Sequence, residues 1–554
     1  MQSKFTQVFT KHGWLLSSTT IACLVALPIV SVIFLALFPE ENAWPHLIDT
    51  VLPTYLKNTA ILMIGVGTLS LLVGTGAAWL ISMYDFPGKR WLSWGLLLPF
   101  AVPAYVIAYV YTDLLEFAGP VQSLLRDIMG WTSSQDYWFP SIRSMGGAII
   151  MMSLVLYPYI YMLARAAFLE QSVSLYRVSR SLGTTPVGFF FRISLPIARP
   201  ALAVGLSLVL METLNDFGTV DYFAVRTLTA GLYDTWLNMG NLGGAAQIAV
   251  LMVFVVVVLI SLERYSRRKQ KQYHSRNQGD PIPTTMLVGL RGYTASFLIF
   301  LPIFLGFVIP FIILSKYAFD NFSVSWDTQF ISYAFNSFAL ATTAAFITLV
   351  LGIILTYTKR LNSKPGTHLM VGASSLGYAI PGAVLAIGII IPFAAFDNLV
   401  DGWMRDYFNF SSGLILSGTS FAIIFSYTVR FLAVSSGSVE SSLSKVTPNM
   451  DMAARSLGLT QFQTLIKVHL PIIKKGALTG MLVVFVDCLK ELPATLILRP
   501  FNFETLATQV YQFASDELIE RSALSALIIV LVGIIPIILL DKSINHKTNS
   551  SQLK

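Results

Sequence analysis

Five ionisable side chains interrupt stretches that are otherwise apolar: Glu212 and Asp216 in one, Asp487, Lys490 and Glu491 in another. Glu212 and Asp216 stand four residues apart, as do Asp487 and Glu491, so each pair shares one face of a helix. A carboxylate inside a membrane is costly and usually faces a bundle interior or a water-filled path. Carboxylate oxygens are also hard ligands, suited to a hard cation. Four acids in two corresponding places therefore read as the lining of one translocation path. The plainer alternative is that they pair with Lys490 or cap helix ends near the outer surface.

The elements that must position them are membrane spans. Of the 554 residues 55% are hydrophobic and only 12% are charged, far from the balance of a soluble domain. About 20 apolar residues in helical form cross a bilayer core. Twelve segments qualify: 14–38, 58–83, 91–112, 145–168, 199–221, 243–262, 292–317, 333–357, 369–396, 412–434, 475–497 and 521–541. Their apolar runs are continuous, not alternating, which excludes a β-barrel. With both termini in the cytoplasm, most of the 37 Lys and Arg and few of the 29 Asp and Glu fall on the cytoplasmic side. The net charge of +8 thus reports topology and no nucleic-acid partner. Pro99 and Pro103 should bend or break the third span.

The pattern starts twice. Asn58, Gly74, Pro87-Gly88 and Pro103 return at one constant offset as Asn336, Gly352, Pro365-Gly366 and Pro381. A second, slightly shorter offset carries Gly183, Pro196 and Gly205 onto Gly458, Pro471 and Gly480, and the acids of the first half onto those of the second. The expected fold is an all-α polytopic membrane protein. Its domains are a six-helix half over 1–262, a basic linker over 263–291 and a second half over 292–554. Both halves begin on the same side, so the repeat is parallel. The linker holds Arg264, Arg267, Arg268, Lys269, Lys271, Arg276 and Arg291. Their charge suits topology and lipid headgroups.

One cytoplasmic stretch also occurs twice with matched spacing. The first copy runs from Arg180-Ser-Leu-Gly183 to Ile193-Ser-Leu195-Pro196, the second from Arg455-Ser-Leu-Gly458 to Val468-His-Leu470-Pro471. Each Gly should end one helix and each Pro start the next, with a short amphipathic surface helix between them. Two ordinary loops have no reason to match so closely. Gly, nine residues, Ile or Val, one residue, Leu-Pro resembles the EAA loop of membrane subunits of bacterial ATP-binding-cassette importers. In place of that family's Glu-Ala-Ala stand Arg177-Val178-Ser179 and Met452-Ala453-Ala454, with Asp451 adjacent in the second copy. Two halves in one chain, with Leu214-Asn-Asp-Phe-Gly-Thr-Val-Asp-Tyr222 and Lys490-Glu-Leu-Pro-Ala-Thr495, further resemble the permeases of ferric-iron importers.

The resemblance implies a multi-pass inner-membrane translocation subunit working by alternating access. It implies two copies of a cytoplasmic ATPase on the paired loops and a periplasmic binding protein delivering cargo. No Gly-x4-Gly-Lys-Ser/Thr occurs, so ATP-Mg would be used by the partner and the chain itself would carry no cofactor and no catalytic residue. Thiamine, polyamine or an oxyanion are alternative cargoes on the same architecture. A cation-coupled secondary transporter would use the same acids but has no need of two matched docking loops. Cys23 and Cys488 offer no disulfide or metal spacing, and the six histidines are scattered.

Overall fold

The structure is a computed structural model describing residues 2–267, 284–362, 364–374 and 376–549. Arg268, Lys269, Lys271, His274, Arg276, Pro281 and Pro283 of the basic linker lie outside the described residues. The principal helices of the first half are α1 (Gln2–Leu37), α2 (Leu52–Met83), α3 (Ala104–Leu115), α4 (Met145–Leu169), α5 (Leu195–Asn215), α6 (Gly218–Tyr222) and α7 (Leu242–Arg267). After the linker come α8 (Leu290–Ile303), α9 (Ile309–Asp320), α10 (Thr328–Leu361), α11 (Gly382–Phe408) and α12 (Ser420–Leu443). The chain continues with α13 (Leu470–Leu489), α14 (Pro493–Leu498), α15 (Leu506–Ser515) and α16 (Ile519–Asn549).

Local chemistry sets these ends. Ser144 caps α4 by accepting from the Gly147 N–H at 3.2 Å, and Asp327 caps α10 by accepting from Phe330 at 2.6 Å. Among the described residues ten helices are long and apolar enough to cross a membrane, with α8 and α9 counted as one span. The segment at 91–112 is not a straight span. Helical pieces Lys89–Ala101 and Ala104–Met129 meet at 93°. The Val102-Pro103 break explains it, because Pro103 has no N–H to continue the ladder. The segment at 475–497 is divided into α13 and α14. Lys474, Lys475 and Asp487 make α13 less apolar, but its 20 residues still reach about 30 Å.

The compact units of the fold are cut differently from the repeats in the sequence. One unit comprises Met1–Trp44, Leu232–Val250 and Asp327–Gln509; the other comprises Pro45–Gly231, Leu251–Trp326 and Val510–Lys554. In the first unit α1 packs on second-half helices. Ser18 donates to the Thr358 hydroxyl at 2.8 Å, Trp14 meets Tyr357 edge-on at 5.1 Å, and Gly388 lies so close to the Pro28 carbonyl that a Cβ there would sit at 2.2 Å. In the second unit the span α8–α9 packs on first-half helices. Tyr111 donates to the Leu305 carbonyl at 2.7 Å and Tyr317 to Asp113 at 2.5 Å. The first helix of each repeat is therefore built into the core of the other. Within the linker, Thr285–Met286 pairs in parallel with Tyr84–Asp85 in the same unit.

Each unit has a three-helix core: α2, α4 and α5 in one, α10, α12 and α13 in the other. Small residues let these helices approach. A Cβ at Gly74 would lie 2.9 Å from the Tyr157 carbonyl oxygen, and one at Gly480 would lie 2.6 Å from the Ser438 Cβ. The repeated Asn58 and Asn336 are explained by matching latches. Asn58 donates to the Arg226 carbonyl while Thr59 accepts from the Leu228 N–H. Asn336 and Ser337 do the same for Glu504 and Leu506.

Candidate functional site

The two loops fold alike to a fine level. The preceding helices Val173–Ser181 and Pro448–Ser456 end at Gly183 and Gly458, both with φ +79°. The Thr184 N–H reaches the Ser179 carbonyl and the Gly183 N–H the Arg180 carbonyl, each at 3.1 Å. Leu459 to Ala454 and Gly458 to Arg455 repeat this at 3.1 and 3.0 Å. This is a Schellman ending, which needs a residue that tolerates positive φ. Thr185 and Thr460 then cap the short helices Pro186–Phe189 and Gln461–Thr464.

Leu195-Pro196 and Leu470-Pro471 do not start separate helices, as their sequence suggested. A single π-turn, Phe190–Ser194 or Leu465–His469, carries each short helix into α5 or α13 without interruption. The Leu195 N–H bonds to the Phe190 carbonyl and Leu470 to Leu465. The wider π register accommodates the proline that lacks a donor. Motion of the short helix is thereby linked directly to a membrane helix.

The two loops are secured by different chemistry. In the first, Ser194 donates to Gln171 at 2.6 Å, Gln171 donates back to the Ser194 carbonyl at 3.0 Å, and Trp79 packs against Phe168, Phe189 and Phe190. In the second, Asp451 accepts from Arg360 at 2.9 and 3.0 Å and from His469 Nε2 at 2.7 Å. Arg360 also donates to the Leu443 and Val446 carbonyls. Burial, aided by the Arg360 charge, pushes the His469 imidazole below its ordinary pKa despite the pull of Asp451. Nδ1 of His469 is buried without a hydrogen-bond partner, so a proton placed there would be poorly served. Asp451 thus turns its carboxylate inward. The role of Arg360 had no signal in the loop motif, because it comes from α10.

The membrane acids also fall into matched places. Asp216 follows α5 and accepts from the Thr219 N–H at 2.9 Å, the Thr219 hydroxyl at 3.1 Å and the Val220 N–H at 3.3 Å. Glu491 follows α13 and accepts from the Ala494 and Thr495 N–H groups at 3.3 Å. Both carboxylates fasten the break into a short helix, α6 or α14. Glu491 has a further partner: Arg430 of α12 approaches to 2.6 Å, with both side chains buried. Gly382 leaves room for this pair, since a Cβ would lie 2.5 Å from each charged group. Asp487 pairs with Lys490 at 3.0 Å, and Glu212 lies one turn before Asp216 on α5. The structure brings Asp487, Lys490 and Glu491 together in one unit and Glu212 with Asp216 in the other. Arg430 could have been suspected as a lone cation in an apolar segment.

Residues 70–272 and 348–550 each match the family of binding-protein-dependent transport system inner membrane components. The chain belongs to that family, with the domain present twice. It is a multi-pass inner-membrane transport permease, not an enzyme, and works with a binding protein and a separate ATPase. Among curated proteins it is similar to the Fe(3+)-transport system permease protein FbpB 2 of Haemophilus influenzae, 27% identical over 88% of this chain and 89% of that one. The ferric transport system permease FbpB of Actinobacillus pleuropneumoniae is 23% identical over 73% of this chain and 58% of its own length. The molybdenum permease ModB of Escherichia coli is 26% identical; 37% of this chain covers 90% of it, so a single-domain relative matches about one repeat.

Proposed function

We propose that the chain is the translocation subunit of an ATP-driven ferric-iron importer. The observation that carries the reading is the pair of loops around Gly183 and Gly458, equal in φ, ending and π-turn. Arg180, Ile193, Leu195 and Pro196, with Arg455, Val468, Leu470 and Pro471, frame the two docking elements. One ATPase subunit engages each loop, giving two copies per chain. Closure of the ATPases moves the short helices, and the continuous π-turns pass that movement to α5 and α13. ATP binding drives the cycle only through different affinities for the two states.

Ferric cargo is favoured by similarity to one ferric permease over 88% of this chain, whereas the molybdenum relative aligns with 37% of it. Hard carboxylate oxygens on Glu212, Asp216, Asp487 and Glu491, with Lys490 moderating Asp487, suit passage of a hard cation. The test is radioactive ferric uptake in cells lacking this chain, with and without its restoration. An ionophore collapses ion gradients while ATP is maintained. Restored uptake that survives the ionophore is expected; uptake lost with the gradient would assign a secondary transporter.

A further inference from the structure

In the unit that holds Glu212 and Asp216, oxygen ligands gather where α5 gives way to α6. Tyr109 of α3 is 1% exposed, and its hydroxyl has no hydrogen-bond partner among the described residues. The Tyr511 ring packs on Phe217, the residue after Asp216, at 5.7 Å between centroids. Asp221, exposed at the mouth, accepts from the Tyr511 hydroxyl at 2.7 Å. The Tyr222 ring meets Tyr109 edge-on at 4.5 Å and carries Arg143 over its face at 4.8 Å. Arg143 is itself held by Glu116 at 2.5 Å and Glu517 at 3.2 Å. A buried hydroxyl without a partner calls for an explanation.

The internal repeat supplies a control. Ile387 and Leu496 occupy the places of Tyr109 and Asp221 in the other unit, and Tyr233 corresponds to Tyr511. Tyr233 donates to a backbone carbonyl, that of Pro493. The fold therefore has no need of the Tyr109 phenol or the Asp221 carboxylate, and these two are a one-sided addition, whereas the Tyr511 phenol has a counterpart in Tyr233.

We propose that Tyr109, Tyr511 and Asp221, with Asp216 behind them, form a transient binding site for a hard trivalent cation at the outer end of the permease. The inference rests on the reading of the cargo as ferric iron. Phenolate and carboxylate oxygens are the hard donors such an ion prefers. Among the described residues no three His, Cys, Asp or Glu side chains converge as a metal site, so the proposed site depends on its two phenols. The C-terminal end of α5, where Asp216 stands, adds a favourable dipole. At about 1.5 Å per residue, the 21 residues of α5 put this cluster roughly 30 Å from the docking loop, the side from which a binding protein delivers. Binding releases the phenolic protons to water, and only coordination bonds form.

The test uses the purified full chain in nanodiscs, titrated with ferric nitrilotriacetate and read by visible phenolate-to-iron charge-transfer absorption. A saturable band is expected in the wild type and in Y137F, a tyrosine change away from the cluster. Y109F should lose the band, and D221N should weaken apparent affinity at least tenfold. Because Y109F alters a buried residue, D221N at the exposed mouth provides the second reading. No band in the wild type, or the same band and affinity in both variants, overturns the site. Ferric uptake by the wild-type assembly is measured in parallel. Uptake without a band removes the site and leaves the cargo reading; no uptake removes the cargo reading and the purpose of the site with it.

Discussion

Arg430 and Glu491 form a buried pair whose value is clearest when one partner is lost. Arg430→Met leaves a carboxylate buried without its cation, which costs about 3–5 kcal/mol in comparable sites. The expected outcome is a lower unfolding temperature of the purified permease, largely restored in the double variant R430M/E491Q. An equal loss in both variants would show that packing by the arginine, not its charge, is what matters. His469 sets a second prediction. Its folded pKa lies below the unfolded value, so the folded state binds fewer protons below about pH 6.5. Its stabilisation of the second loop is complete above that pH and declines as pH falls towards the folded pKa. Asp451, Arg360 and Tyr357 are the titratable and charged groups that face it. ATPase co-purification should therefore weaken on mild acidification, and less so in H469N. An identical pH profile in H469N would remove His469 as the cause.

At the scale of elements, the docking loops depend on two glycines in a left-handed conformation. A side chain there costs roughly 1–2 kcal/mol in backbone strain. Nothing lies within 4 Å of a Cβ at Gly183 or Gly458, so strain and not collision is the obstacle. Gly183→Val and Gly458→Val should each insert normally in the membrane yet retain less ATPase in pull-down. Full retention by the pair would refute the docking role. The repeated Gly and Leu-Pro spacing was legible in sequence because backbone geometry demands those residues locally. The π-turn was not, since Pro is equally compatible with the first turn of a new helix. Which hydrogen-bond register wins depends on how the short helix packs.

At the scale of the molecule, the exchange of first helices between repeats makes the halves interdependent. Residues 1–267 alone lack the α8–α9 span that contacts Tyr111 and Asp113, and residues 284–554 alone lack α1, which contacts Thr358 and Tyr357. Expressed separately, each fragment should be degraded. Co-expressed, they should accumulate and co-purify. Stable accumulation of a lone fragment would show that the exchanged helix is dispensable for folding.

Composition and local pattern by themselves determined a helical, polytopic chain, its repeat and its paired loops. Those features follow from burying apolar runs in lipid and from the few residues that can turn a backbone. Even the 93° break was foreshadowed by Pro99 and Pro103. The tertiary structure alone decided which acid meets which partner. Glu491 finds Arg430 some sixty residues earlier, Asp451 finds Arg360, and Tyr511 finds Asp221 from the other repeat. Sequence spacing describes one helix face at a time. Pairing across helices depends on packing depth and on the exchange of α1 and α8–α9, and neither leaves a periodic trace in the chain.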